Sequence, residues 1–140
     1  MAEALSAALA LDGIWFLAFG AVLAGLVLGG AKNRQLVCVD GFISTAAYLA
    51  AWKICPTVMD YCIISHASAE PGHKKAVETM GLTPYLDLGF RLGEGTGAAC
   101  AMFPPQAARI TQHAIGKKRV AGFVVMTFLL YGWHLTCALP

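Results

Sequence analysis

Glu94 stands between Gly93 and Gly95 and is followed by Thr96 and Gly97, so side chains are removed on both sides of a single carboxylate. Glycines let backbone approach a ligand closely while Glu94 projects into the space. A carboxylate in such a cage, with few compensating charges nearby, has a raised proton affinity and suits the role of general base. The helix expected from Ala98 onward would point free N–H groups at an anion or a developing charge. The bare pattern fits a flexible turn equally well. It is not a nucleotide fingerprint, because neither G-x-G-x-x-G nor the phosphate-loop lysine motif is present.

A second cluster, His66-x-Ser68-x-Glu70-x-x-His73, holds imidazole and carboxylate groups that suit zinc or iron. Pro71-Gly72 is expected to break the helix that would keep them on one face. The simpler expectation is a self-bonded polar loop, with no metal and with Ser68 free to contact a phosphate or hydroxyl. Asp40, at the end of an apolar run, either caps the helix starting near Phe42 or faces a ligand. Asp87 and Arg91 read as a structural ion pair, and Lys74 and Lys75 as solvated. No Ser-His-Asp or Cys-His arrangement has supporting context.

These residues must be held by alternating elements. Leu36 to Val39 reads as a fully apolar strand, reached from an apolar helix through the polar break Lys32 to Gln35. Phe42 to Lys53 is Ala-rich without interior proline, a helix expected to turn Phe42, Ala46, Leu49 and Ala50 inward and to end at Pro56. Val58 to Ser65 favours a strand. Lys74 to Met80 makes a short helix, with Gly81 where such helices stop. Pro84 to Phe90 alternates as a strand. Helix and strand alternation without hairpin signals implies a parallel α/β sheet. Ligand sites of such sheets lie outside the carboxyl ends of the strands, where Asp40-Gly41, His66 to His73 and Gly93 to Gly97 all fall.

Of 140 residues, 58% are hydrophobic and 13% charged, with a net charge of +2. That excludes a disordered acidic segment and gives too little field for a nucleic-acid binder. The five cysteines include no Cys-x-x-Cys pair and read as reduced thiols, most of them buried, in a cytosolic protein. Two uncharged runs reach membrane-spanning length, Gly13 to Ala31 and Val120 to Pro140. The first lacks the basic start of a signal peptide and feeds a strand, so a buried helix is expected. The second follows Lys117-Lys118-Arg119 and carries Tyr131 and Trp133. It reads as a membrane anchor, as a helix or strand packed on the domain, or as sequence foreign to the fold.

Three motifs in order, Val39-Asp40-Gly41-Phe42-Ile43-Ser44, Ser65-His66-Ala67-Ser68-Ala69-Glu70-Pro71-Gly72-His73 and Leu86 to Ala99, closely resemble the nicotinate-nucleotide:dimethylbenzimidazole phosphoribosyltransferase family. The resemblance runs from about Gly13 to Gln112 and corresponds to the carboxyl-terminal part of a family more than twice this length. It implies a three-layer α/β fold with a parallel sheet flanked by helices, usually a homodimer, needing no metal or cofactor. The expected division is a phosphoribosyltransferase-like part at 1–114 and an apolar tail of unknown role at 115–140. The implied substrates are nicotinate mononucleotide and a benzimidazole base, with Glu94 taking the proton from the attacking base. Leu92 falls where the family lines the aromatic pocket. Asp40 and Ser68 fall in loops that meet the nucleotide, and Gly93, Gly95 and Thr96 complete the substrate loop. The alternative is an inactive binding or interaction module that keeps only part of this site.

Overall fold

The computed structural model describes residues 2–90, 95–102, 122–126 and 135–138, with side chains described from Leu17 to Phe90 and from Gly95 to Met102. Helix α1 covers Ala2–Lys32, strand β1 Gln35–Val39 and helix α2 Phe42–Ile54. A 3₁₀ helix at Pro56–Tyr61 leads into strand β2, Cys62–Ile64. Helices α3 (Pro71–Met80) and α4 (Thr96–Ala101) come next in the chain, then strands β3 (Gly122–Met126) and β4 (Leu135–Ala138).

The strands form one sheet in the order β2-β1-β3-β4. β1 runs parallel to β2, pairing Val37 with Cys62 and Val39 with Ile64, and parallel to β3, pairing Gln35 with Gly122 and Val39 with Met126. β4 joins β3 antiparallel, an edge strand of a kind common on otherwise parallel sheets. Two stretches of the apolar tail thus lie in the sheet.

β1 is the centre of the molecule. Leu36, Val37, Cys38 and Val39 are all buried, because helices cover both faces of the strand. Val37 and Val39 pack with Leu23, Ala24 and Val27 of α1, Ala47, Tyr48 and Ala51 of α2, and Val77 and Met80 of α3. Leu36 and Cys38 meet Ala98 and Ala101 of α4, with Tyr85 and Leu86 alongside. Alternate residues of one strand therefore serve two helical layers, which is the expected three-layer arrangement. α1 buries one stripe and leaves Leu17 and Val22 exposed. No helix among the described residues is long and apolar enough to cross a membrane.

Several local expectations change. α2 buries Ser44, Thr45, Ala47, Tyr48 and Ala51, whereas Phe42, Ala46 and Ala50 are exposed and Leu49 is half-buried. Alanines on every face removed the contrast that marks an inner stripe, and the buried polar end of the helix faces a polar cluster. The strand expected from Val58 is shorter, because Pro56 opens a helical turn in which Val58 is buried. Pro71 likewise does not break α3 but begins it at the first helical position, with Gly72 against the Phe42 ring where a Cβ would overlap. α3 ends as expected at Gly81, whose φ of 66° is left-handed. The Gly81 N–H bonds Glu78 O at 3.0 Å and the Leu82 N–H bonds Val77 O at 3.1 Å, a Schellman closure. Pro84 to Phe90 forms a single parallel bridge, His66 to Leu86, and the left-handed Gly89 interrupts the extended run.

Candidate active site

The carboxyl ends of β1 and β2 meet the start of α4. Asp40, the first residue past β1, is 2% exposed, and its Oδ1 accepts a hydrogen bond from the Ala98 N–H at 2.8 Å. Asp40 is a helix cap, but of α4 and not of α2. α2 has no side-chain cap, and its Ser44 hydroxyl turns back to Gly41 O at 3.0 Å. α4 also lacks a cap from its own first residues, since Gly95 precedes it with a left-handed φ of 76°. A carboxylate supplied from another strand end satisfies one of the orphan N–H groups.

β2 continues past Ile64 as bridge and loop. The Ser65 N–H bonds Val39 O at 2.8 Å, and the Leu86 N–H and O bond Ser65 and Ala67 at 2.9 and 2.7 Å. This ladder carries the buried His66 into the gap between Asp40 and α4. Its Nδ1 lies 3.7 Å from Asp40 Oδ1 and 3.2 Å from Ser65 Oγ. The ring closes against Gly97, where any Cβ would overlap it. That contact is the reason the third glycine of the loop must be a glycine.

Behind His66 stacks His73, with ring centroids 6.2 Å apart and planes 24° from parallel. His73 reaches the motif because α3 starts at Pro71, and its Nδ1 shares a 3.2 Å hydrogen bond with Thr45 Oγ1 of α2. Phe90 tilts against His66, with ring centroids 6.2 Å apart. Ser68 is half-buried and accepts the Glu70 N–H at 3.4 Å, a weak local turn that leaves the hydroxyl free to donate.

Burial raises the proton affinity of Asp40, opposed by the Ala98 N–H, the neighbouring His66, and the Gly95 and Gly41 backbone. Burial, followed by the charge of Asp40, pushes the Cys38 thiol up to about 12. Burial, followed by the neighbouring His66, makes His73 harder to protonate, against the pull of the His66 and Gly41 backbone and of Asp40. Cys38 and Cys62 are buried thiols, while Cys55 and Cys100 are partly exposed.

Of the residues expected in the site, Asp40 meets the Gly95 backbone at the start of α4, Thr96 opens that helix, and Ser68 lies two residues past His66 in the loop after β2. Leu92, Gly93 and Glu94, together with Arg91, lie outside the described residues. Among the described residues, no group of three or more His, Cys, Asp or Glu could hold a metal ion. Ser65, Thr45 and the role of His66 against Gly97 were not expected. The signal for them was present only as proximity between motifs.

A phosphoribosyltransferase family model matches residues 19–121. The chain belongs to this phosphoribosyltransferase family. The nicotinate-nucleotide–dimethylbenzimidazole phosphoribosyltransferase of Oleidesulfovibrio alaskensis is 65% identical over 83 residues, 59% of this chain and 23% of that protein. The enzyme of the same name from Dehalococcoides mccartyi is 52% identical over 100 residues, 71% of this chain and 28% of that protein. The crystal structure of the Thermus thermophilus phosphoribosyltransferase aligns with a TM-score of 0.58 at 44% identity, covering 65% of this chain and 28% of that one. The chain therefore spans about a quarter of the length of the phosphoribosyltransferases it matches.

Proposed function

We propose that this domain carries the catalytic loop of an enzyme that transfers ribose 5-phosphate from nicotinate mononucleotide to 5,6-dimethylbenzimidazole. A ring nitrogen of the base attacks C1′, the bond from C1′ to the nicotinate nitrogen breaks, and nicotinate leaves with the electron pair. The product, α-ribazole 5′-phosphate, has inverted configuration at C1′. The proton on the other ring nitrogen of the base passes to Glu94. Leu92 lines the aromatic pocket, the loops that hold Asp40 and Ser68 meet the nucleotide, and Gly93, Gly95 and Thr96 complete the substrate loop. By the same resemblance we assign the protein to the cytoplasm as a homodimer, a step of cobamide nucleotide-loop assembly.

The observation that supports this reading most is the 2.8 Å bond from Ala98 N–H to Asp40, which joins the first motif to the loop of the third. Positioning two reactants supplies much of the rate in such a transfer, so segments distant in sequence must be pinned together. The test is formation of α-ribazole 5′-phosphate by the purified chain, followed by chromatography and mass spectrometry. Glu94→Gln is expected to abolish the product while leaving the circular dichroism spectrum intact, and an unaffected rate overturns the assignment. A second reading is a binding module that keeps only part of the site. Calorimetric titration with dimethylbenzimidazole, then with nicotinate mononucleotide, separates the two. Binding of the base without turnover favours the module.

A further inference from the structure

Glu94 directly precedes Gly95, the residue before α4, and the first turn of α4 is held by three contacts from elsewhere in the chain. Asp40 accepts the Ala98 N–H, the His66 ring fills the space over Gly97, and Leu36 and Cys38 pack against Ala98 and Ala101. His66 connects two of these features. It lies beside Asp40 at 3.7 Å and against Gly97, so any shift of its ring moves the carboxylate partner and the helix start together. The ring is itself confined. His73 stacks on it, Phe90 tilts against it, and Ser65 Oγ engages Nδ1 at 3.2 Å. The Nε2 atoms of both histidines are buried without a hydrogen-bond partner among the described residues. An orphaned buried nitrogen is costly, and two together mark a place where geometry is kept at the expense of stability.

We propose that His66 is a positioning residue: packed against Gly97 and His73, its imidazole fixes the Asp40 carboxylate against the first turn of α4 and so sets where that helix begins, two residues after Glu94 in the sequence. The proposal rests on the reading of Glu94 as the base, but the Asp40 contact can be tested without it. The ionisable groups that face Asp40 are Cys38 on β1, His66 after β2 and His73 on α3, with the backbone of Gly41, Gly95 and Ala98 around them.

The experiment uses the full isotope-labelled chain. In the wild-type protein the Ala98 amide proton, bonded to Asp40, reports the ionisation of that carboxylate, and the His66 ring nitrogens should respond at the same pH. His66→Leu fills the volume but removes the polar edge, whereas His66→Asn keeps a polar atom near the Nδ1 position. The Leu variant is expected to move the pH of the Ala98 response. It should also lower kcat for α-ribazole phosphate formation by tens of fold, with KM within about threefold, because misplacement acts on the transition state more than on binding. The Asn variant should recover most of both. Ala98 and His66 signals that respond independently in the wild-type chain overturn the proposal, whether or not the variants fold. An Asn variant as impaired as the Leu variant, or an unchanged kcat in the latter, also overturns it. If the wild-type chain makes no product, the Glu94 reading fails, while the amide and imidazole titrations still decide whether His66 holds Asp40.

Discussion

Two ends of one short strand behave oppositely. From Leu36 to Val39 β1 is apolar on both faces, and its neighbours are mostly Val, Leu, Ala, Ile and Met, with Tyr48 and Cys62 among them. One residue later the chain is equally buried but polar, with Asp40, Thr45, Ser65, His66 and His73 all shielded from water. The apolar stretch gains stability from each group it hides. The polar stretch hides a carboxylate and two imidazoles at a cost, and retains an ordered meeting point of three motifs in exchange. Stability and site geometry are thus supplied by adjacent but different residues, and substitutions should separate them.

The largest expected effect is a crossing of phenotypes. Val37→Ala opens a void in the core and should cost about 2 kcal/mol in urea unfolding while the folded fraction keeps its activity. Asp40→Asn keeps an acceptor for the Ala98 N–H but removes a buried charge. Stability should change by less than about 1 kcal/mol or rise, while product formation falls at least tenfold, since strained polar sites trade stability for function. If the two variants lose stability and activity in parallel, the division between the two ends of β1 is wrong.

A smaller effect should appear with pH. His73 is harder to protonate in the fold than its ordinary value of 6.5, because burial penalises the cation. Below that pH the unfolded chain takes up the proton before the native one does, so the linked stability is present above 6.5 and lost on acidification. Urea midpoints should therefore fall between about pH 7.5 and about pH 5.5, and His73→Gln should flatten that slope. An unaltered slope would place the acid sensitivity elsewhere. The smallest change concerns the apolar side. The Tyr48 hydroxyl is buried without a hydrogen-bond partner among the described residues. Tyr48→Phe should be neutral or stabilising by up to about 1 kcal/mol, and a clear loss would reveal a partner for that hydroxyl.

Much of this contrast is written in local sequence, and the remainder is not. The apolar run 36–39, the polar break before it, the extent of α2 and the glycine stop of α3 all depend on neighbours within a few residues, and all match the structure. The inner face of α2 was illegible because alanine on every side gives no contrast. Pro56 and Pro71 act as helix openers here, because each stands at the first turn, where its missing N–H would be unpaired anyway. Asp40 capping α4 joins positions 58 residues apart, a separation that local pattern cannot reveal. Gly97 reads in the sequence as a loop glycine, and only the His66 ring above it explains its side-chain-free surface.

The register of the sheet also has a kinetic consequence. β1 finds β2 across a short stretch, Val37 to Cys62, but meets β3 only when Gln35 closes on Gly122. Closing the longer loop loses more chain entropy, and non-local parallel pairing is slow. The edge of β1 that β3 occupies should therefore remain open after the first half of the sheet has formed, an apolar template able to pair with another chain. Pulse-labelling hydrogen exchange during refolding should protect the amides of β2 before those of β3. Simultaneous protection would mean that the tail docks as early as the core. The arrival of β3 is thus the step that removes the hazard of misassembly at that edge of β1.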